Sequence, residues 1–223
     1  DDICAFDARS GALRHKIETP WGAASSYSSP VAATVAGSHR LFVGAPSGLH
    51  AYSAPTGQLL WQLPTDGYAD ASPAIEGGVV YVGSEGGIVY AVDAQSGQVR
   101  WKRETGGPVE SAVAVRRGKA YLASDGRLQA FDTDDGDRVF SKDIDGSLWN
   151  GSSPVAVWSA SRSNGLVYVA NGRSDGHTLH ALDADTGERA WARSFSRTRR
   201  PATPRSRSRT ASSTTRPIAD CTR

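Results

Sequence analysis

The 223-residue sequence predicts an all-β fold, a partial β-propeller of four-stranded antiparallel blades. Two observations predict this class. A strand–turn–strand motif occurs five times, and a second hairpin pattern precedes four of the five copies. One alanine marks each copy, and the intervals between these alanines are 46, 40, 39 and 51 residues: Ala5, Ala51, Ala91, Ala130 and Ala181. A period near 40 residues built from short strands is typical of a propeller, because each repeat forms one blade.

The clearest copy of the motif is Ile88–Trp101. Val89 and Ala91 share one face of its first strand, and Tyr90 and Val92 share the other, as the period of two in a β-strand requires. Both faces are therefore apolar. This pattern predicts a sheet that packs between two other sheets, as a blade does inside a propeller.

The turn that follows has the pattern Asp-Ala-x-Ser/Thr-Gly. Asp93 can accept hydrogen bonds from amides of the turn, Gly97 supplies a left-handed backbone position, and Trp101 returns to pack against the neighbouring sheet. Phe140 and His15 stand where other copies have Trp. The predicted structural docking motif comprises Asp93, Gly97, Trp101, Gly57, Trp61, Asp132, Gly136, Phe140, Asp183, Gly187 and Trp191.

The second hairpin is clearest at Ser72–Ser84, where Gly77-Gly78 separates two apolar runs. Together the two hairpins give a half blade over 1–18 and four complete blades over 29–63, 71–103, 110–142 and 152–193. The chain has no Met and opens inside a predicted strand, so we expect an incomplete propeller domain over 1–196.

The pattern Ala-x-Asp-x-x-Ser/Thr-Gly-x-x-x-Trp resembles the tryptophan-docking repeat of the PQQ-like (pyrroloquinoline-quinone) β-propeller family. The resemblance covers roughly residues 1–196 and implies a fragment of a larger, eight-bladed ring. The family includes quinoprotein dehydrogenases and non-enzymatic propellers, among them a lipoprotein of outer-membrane β-barrel assembly. The repeated motif is the family's packing device, so it implies the fold and not the chemistry.

No group of residues in the sequence has the pattern of a catalytic or metal site. Asp132–Asp137 resembles a calcium loop, but it lacks the spacing and the closing Glu of such a loop. His177 and His180 are three residues apart without a third ligand nearby in sequence. Cys4 is the only cysteine in the repeats, and we expect it to be a small buried strand residue.

The composition changes abruptly near residue 197. Residues 197–223 contain eight Arg and one Asp, with no Trp, Tyr, Phe, Leu or Val. Without them, the chain has 17 basic and 22 acidic residues, a net charge of −5 instead of the +2 of the whole chain. This tail has too little apolar surface to offset the entropy cost of ordering, which predicts disorder.

Three origins of the tail are considered. In a shifted reading frame, Ala211–Arg223 can encode Gly-Val-Val-Tyr-Tyr-Ala-Thr-Asp-Arg-Gly-Leu-Tyr-Ala, which aligns without a gap on Gly118–Ala130. We therefore hypothesise a frameshift between about Arg193 and Pro201, which makes the tail a shifted copy of the next blade. A genuine Arg-rich arm would instead bind nucleic acid or an acidic partner through counterion release. The third origin is an ordinary disordered terminus.

Three functions follow from the resemblance. The first is a non-enzymatic scaffold that binds proteins, without a cofactor. The second is a PQQ-dependent dehydrogenase with calcium under the quinone, but none of that family's catalytic or metal ligands, nor its vicinal cysteine pair, matches a residue here. The third is the sensor propeller of a multidomain protein. The resemblance suggests a periplasmic or cell-surface location, and no apolar run reaches membrane-spanning length.

Overall fold

The computed structural model describes residues 3–6, 9–17, 28–144, 155–157, 165–173 and 176–196. Eighteen β-strands lie within these ranges. The half blade consists of β1 (Ile3–Phe6) and β2 (Leu13–Ile17). Blade I consists of β3 (Val31–Val35), β4 (Ser38–Ala45), β5 (Gly48–Ser53) and β6 (Leu59–Leu63).

Three further blades follow in the same order. Blade II consists of β7 (Ala74–Glu76), β8 (Val79–Gly83), β9 (Ile88–Asp93) and β10 (Val99–Glu104). Blade III consists of β11 (Ala114–Arg116), β12 (Lys119–Ser124), β13 (Arg127–Asp132) and β14 (Arg138–Asp143). Blade IV consists of β15 (Val155–Val157), β16 (Leu166–Arg173), β17 (Gly176–Asp183) and β18 (Arg189–Ser196).

Each complete blade is a four-stranded antiparallel sheet whose strands are neighbours in chain order. The ring residue of the motif pairs with the alanine that marks each repeat, as Trp101 does with Ala91 and Phe140 with Ala130. A β-bulge follows at this point, which increases the local twist of the outer strand. The predicted all-β class with four-stranded antiparallel blades is confirmed.

The first strands of successive blades touch one another, so β3, β7, β11 and β15 form the inner edge. The two ends of the blades differ. On the connection side, the turn between the second and third strands meets the segment that links two blades, as Glu85 N donates to Tyr68 O at 2.8 Å. On the turn side, the two hairpin turns of one blade meet, as Ala94 N donates to Gly78 O at 2.9 Å.

The apolar core lies between the blades. One cluster joins blade I to blade II, a second joins blade II to blade III, and a third joins blade III to blade IV. A smaller cluster of Ile17, Val43 and Tyr52 joins the half blade to blade I. Both faces of β9 are buried, since Tyr90 belongs to the first cluster and Ala91 to the second, as the apolar pattern of this strand predicts.

One expectation about an individual residue is wrong. Cys4 is exposed and is not a buried strand residue. Its neighbour Ile3 packs toward blade I, so Cys4 points to the opposite face of β1, which no described element covers.

The described residues contain no helix that is long and apolar enough to cross a membrane. The segment 197–223, with its hypothesised frameshift, lies outside the described residues.

Candidate functional site

The acidic residue of the motif closes its own turn. Asp93 Oδ1 accepts hydrogen bonds from Gln95 N at 3.1 Å and Ser96 N at 2.9 Å, while Asp93 Oδ2 pairs with Arg100 Nη2 at 2.8 Å. The hydrogen bond from Arg100 and then the amide of Ser96 hold the pKa of the Asp93 carboxyl well below its ordinary value. Asp183 and Asp132 accept bonds from their turn amides in the same way.

The glycine of the motif has two roles. Its φ is positive in all four complete copies: +70° at Gly57, +76° at Gly97, +79° at Gly136 and +69° at Gly187. A left-handed backbone favours glycine on steric grounds. The second role is to leave space for a ring, because a Cβ at Gly136 would lie 2.6 Å from the Trp101 ring of the preceding blade.

The ring of each blade therefore docks on the turn of the next blade. Trp101 lies on Gly136, and its Nε1 donates to Thr133 O at 2.9 Å. Trp61 lies on Gly97 in the same way, with Nε1 donating to Ala94 O at 3.3 Å. Thr133 and Ala94 are the residues that follow the motif's Asp, so one indole contacts both ends of the turn.

Phe140 has no N–H group, and a different residue supplies the hydrogen bond at its interface. Phe140 docks on Gly187, where a Cβ would lie 2.6 Å from the ring. The corresponding carbonyl, Ala184 O, accepts a bond from the hydroxyl of Tyr121 at 2.9 Å. Tyr121 is fully buried, and burial raises the pKa of its phenol.

An aromatic residue of the second strand contacts the motif's ring from within the same blade. Centroid distances are 5.8–6.3 Å for the pairs Phe42–Trp61, Tyr81–Trp101, Tyr121–Phe140 and Tyr168–Trp191. Sequence reasoning did not identify this half of the docking site. The signal was present, since an aromatic residue stands at the same position of all four second strands.

Trp191 is the exception among the rings. It is 42% exposed, whereas Trp101 is 6% exposed and Phe140 is 8% exposed. Trp101 and Phe140 are covered by the turns of blades III and IV, and no described residue covers Trp191 in this way.

The motif residues of the complete blades are thus engaged in packing. Asp93, Asp132 and Asp183 bind amides of their own turns, and the rings contact neighbouring turns. Within the described ranges, no three His, Cys, Asp or Glu side chains lie close enough to hold a metal ion.

A groove of about 280 Å³ opens on the connection side of blade II, between the links that precede and follow this blade. The turns between strands and the segments that link the blades form its walls. Its lining residues are Asp66, Glu85, Gly86, Gly87, Ile88, Glu104, Gly106, Gly107 and Pro108. The glycines permit close backbone approach, since a Cβ at Gly87 would lie 3.0 Å from the backbone carbonyl oxygen of Gly107.

The surface beside the groove is acidic. Burial and then the charge of Glu85 raise the pKa of Asp70. Burial raises the pKa of Glu110 too, with further contributions from Glu85 and Asp70. Tyr68 is half exposed on the same side. The connection side therefore presents several carboxylates beside an exposed aromatic ring.

In blades II and III, one position of the third strand forms a hydrogen bond with the segment that enters the blade. Tyr90 OH accepts a bond from Asp66 N at 3.0 Å, and Gln129 Nε2 donates to Thr105 O at 2.7 Å. His50 and His180 occupy the same position in blades I and IV, and both are 1% exposed.

These features define a β-propeller of PQQ-like repeats. A family model described as outer membrane protein assembly factor BamB matches residues 46–221. Because this match covers more than half of the sequence, the chain belongs to that family. No curated protein matches the chain.

Solved structures give the same fold. The structure of BamB from Moraxella catarrhalis is 25% identical with a TM-score of 0.62, and the match covers 86% of this chain and 55% of that chain. Two quinohemoprotein alcohol dehydrogenases share the fold. One of them, ADHIIG from Pseudomonas putida HK5, is 18% identical with a TM-score of 0.58, and the match covers 76% of this chain and 34% of that chain. The other, from Comamonas testosteroni, is 19% identical with the same TM-score, and the match covers 76% and 35%. This chain thus spans about half of the BamB structure and about a third of each dehydrogenase.

Proposed function

We propose that this chain is part of a non-enzymatic propeller scaffold that binds other proteins. The observation that carries the proposal is that the two sides of the blades differ in what their residues do. The repeated Asp, Gly and ring residues pack one blade on the next, whereas the connection side presents an open groove with charged walls. Membership of the BamB-type family supports the same function.

The alternative of a PQQ-dependent dehydrogenase has less support. The likeness to the two dehydrogenases is below 20% identity, so it carries the fold alone. Calcium in proteins is bound by several oxygen ligands, often from carboxylates, and no three His, Cys, Asp or Glu side chains come together among the described residues. Neither the dehydrogenase nor the sensor propeller explains the open groove better than a scaffold does.

The partners are, on this proposal, proteins that contact the connection side near Asp66, Tyr68, Glu85 and Glu104. The family description refers to outer membrane protein assembly, which favours a periplasmic or cell-surface location. Nucleic acid is a proposed partner only if the Arg-rich tail is genuine, because the carboxylates of the connection side would repel phosphates.

Site-specific photocrosslinking tests this function. A photoreactive residue replaces Glu85 on the connection side, and a matched variant carries it at Asp134, an exposed residue on the turn side. In cells that make the chain, we expect a discrete protein crosslink from position 85 and none from position 134. Equal crosslinking from both positions, or none from position 85, contradicts the proposed surface.

An activity assay tests the alternative. Purified chain is incubated with PQQ and Ca²⁺, and alcohol-dependent reduction of an artificial electron acceptor is followed. The scaffold predicts no turnover above a control without quinone. Quinone-dependent turnover would overturn the non-enzymatic function without bearing on the groove.

A further inference from the structure

The face of blade IV that points away from blade III is apolar and exposed. Trp191 and Phe195 on this face are 42% and 53% exposed. At the equivalent positions of blade III, Phe140 and Ile144 are 8% and 3% exposed, because blade IV covers them. Blade IV therefore presents a docking ring, with its apolar neighbour, that no described residue covers. We call this surface the ring face.

The half blade presents the opposite part of the same interface. Its copy of the motif is Asp7-Ala8-Arg9-Ser10-Gly11, and Gly11 has a φ of +69°, as the other motif glycines do. A Cβ at Gly11 would meet no described atom within 4 Å. At Gly97, Gly136 and Gly187 an added Cβ would lie 2.6–2.8 Å from a docked ring. The half blade therefore has a docking turn on which no described ring lies.

Cys4 lies on the side of the half blade that matches the ring face. Cys4 precedes the alanine of its repeat, as Gln129 does in blade III. Gln129 Nε2 donates to Thr105 O of the preceding blade at 2.7 Å. Thr105 stands four residues after its docking ring, which is the position of Phe195 in blade IV. The exposed Cys4 and Phe195 are thus the equivalents of two residues that touch between blades II and III. We call the surface of Cys4 and Gly11 the turn face.

The ring face has the other groups that hold a turn. Tyr168 contacts the Trp191 ring at a centroid distance of 5.8 Å, as the second-strand aromatics do in the other blades. Arg193 is exposed and occupies the position of Arg103, whose Nη2 donates to Asp135 O in the turn of blade III at 2.6 Å. Blade IV therefore carries the ring, the supporting aromatic residue and the arginine with which blade II holds the turn of blade III.

We propose that a second copy of this chain docks its turn face on the ring face, with its Gly11 turn on Trp191. Within one chain the two faces do not meet, since no described ring lies beside Gly11. The contact repeats the interface that the chain builds between its own blades, and it removes two apolar side chains from water. It joins different surfaces of the two copies, so each pair keeps one free ring and one free turn, at which the assembly closes or grows. The groove of blade II takes no part in it, so the contact is independent of the proposed scaffold function.

Size-exclusion chromatography with light scattering tests the contact on the full chain over a range of concentrations. The parent is expected to form complexes of two or more chains, whereas Trp191→Ala and Gly11→Ala are each expected to remain single chains. Gly77→Ala is the matched control, because Gly77 also has positive φ and no atom within 4 Å of an added Cβ, but lies in the turn between β7 and β8. It is expected to associate as the parent does. A parent that stays a single chain at every concentration would overturn the proposal, as it would if another segment covered Trp191.

A mixture of two variants separates specific docking from general apolar association. Trp191→Ala keeps an intact turn face, and Gly11→Ala keeps an intact ring face. The mixture can therefore form one ring–turn contact, and we expect complexes of two chains and none larger. This expectation holds even if Gly11→Ala disturbs its own half blade, because only its blade IV is needed. Association of Gly11→Ala alone to the extent of the parent would contradict the proposal, and so would a mixture that contains single chains only.

Thiol crosslinking tests which residues meet. In a chain with Cys221→Ser, the variant Phe195→Cys has one thiol on each face, at position 195 and at Cys4. A short bis-maleimide is expected to give covalent dimers whose linked peptides contain Cys4 and position 195. Val99→Cys in the same background is the control, since Val99 is 40% exposed on the outer strand of blade II, and we expect it to give clearly fewer dimers. Equal yields from the two variants, or links that join only Cys4 to Cys4, would overturn the head-to-tail contact.

Discussion

Replacement of Trp101 by Ala removes the ring that joins blade II to blade III. Trp101 is 6% exposed, lies 5.9 Å from the Tyr81 ring and covers Gly136. Loss of a buried Trp costs about 3–5 kcal/mol, because burial is lost and a cavity remains. That range includes the hydrogen bond to Thr133 O, which by itself is worth about 1 kcal/mol.

The chain supplies two matched controls. Trp191 occupies the same repeat position but is 42% exposed, so Trp191→Ala is expected to cost about 2 kcal/mol or less. Trp101→Phe keeps most of the ring and loses the N–H donor, which is expected to cost about 1–2 kcal/mol. Phe140 demonstrates that a phenyl ring can occupy this position.

Urea unfolding followed by circular dichroism measures the three free energies of unfolding. With a slope of about 2–3 kcal/mol per molar urea for a chain of this size, Trp101→Ala is expected to lower the midpoint by about 1–2.5 M. Trp101→Ala is expected to lower the free energy of unfolding by clearly more than Trp191→Ala does. Equal costs would mean that contact with the next blade's turn contributes nothing to stability.

Four other predictions address single groups. Tyr121→Phe is expected to destabilise the chain by about 1–3 kcal/mol, because the docked ring at this interface has no N–H group that could replace the buried hydroxyl. A change within error in urea unfolding would contradict this. Gly136→Ala should lower the free energy of unfolding clearly more than Gly126→Ala. Both glycines have positive φ, but only Gly136 has a ring within 4 Å of an added Cβ among the described neighbours. Equal urea midpoints would show that Gly136 is not needed to leave space for that ring. Asp93→Asn should be less stable than the parent at neutral pH and equally stable in strong acid. The lowered pKa of the Asp93 carboxyl contributes stability above its unfolded-state pKa, and this stability is lost as pH falls through the folded-state pKa. A difference in stability that does not change with pH would exclude the carboxyl charge as its cause. Gene sequencing should reveal a one-base change between about codons 193 and 201, and an intact frame would favour a genuine Arg-rich arm.

The repeat made most of the fold predictable. An alternating strand, a turn with Asp and Gly, and a ring four residues after that Gly define one hairpin, and five copies near a 40-residue period predict blades. These signals are local, so they can be read without the tertiary structure. Apolar residues on both faces of β9 correctly indicated a sheet packed between two others.

The relation between blades was less accessible. The positive φ of Gly136 could be inferred from the turn, but its contact with Trp101 joins residues from two repeats. At the interface where Phe140 replaces Trp, the hydroxyl of Tyr121 supplies the hydrogen bond, and this too depends on contacts between two blades. Cys4 was assigned to the interior because the residue type packs readily, whereas its strand has one uncovered face.

The groove on the connection side could not be predicted because a turn of blade II and the irregular links on both sides of this blade form it. Asp66 and Glu104 lie in or beside the links between blades, 38 positions apart, and Glu85 lies in a turn between them. None of the three belongs to a recognisable motif. Their proximity follows from how consecutive blades pack and not from the sequence of either blade alone.

A double-mutant cycle between Trp101 and Gly136 tests the central claim, that the repeated motif packs each blade on the next. Gly136→Ala is measured in the parent and in the Trp101→Ala background. If the methyl group displaces the docked ring, its cost should fall once the ring is gone, to the backbone strain of about 1–3 kcal/mol that remains. We predict a coupling energy above about 0.5 kcal/mol. Additivity within that limit would contradict the docking of Trp101 on the turn of blade III.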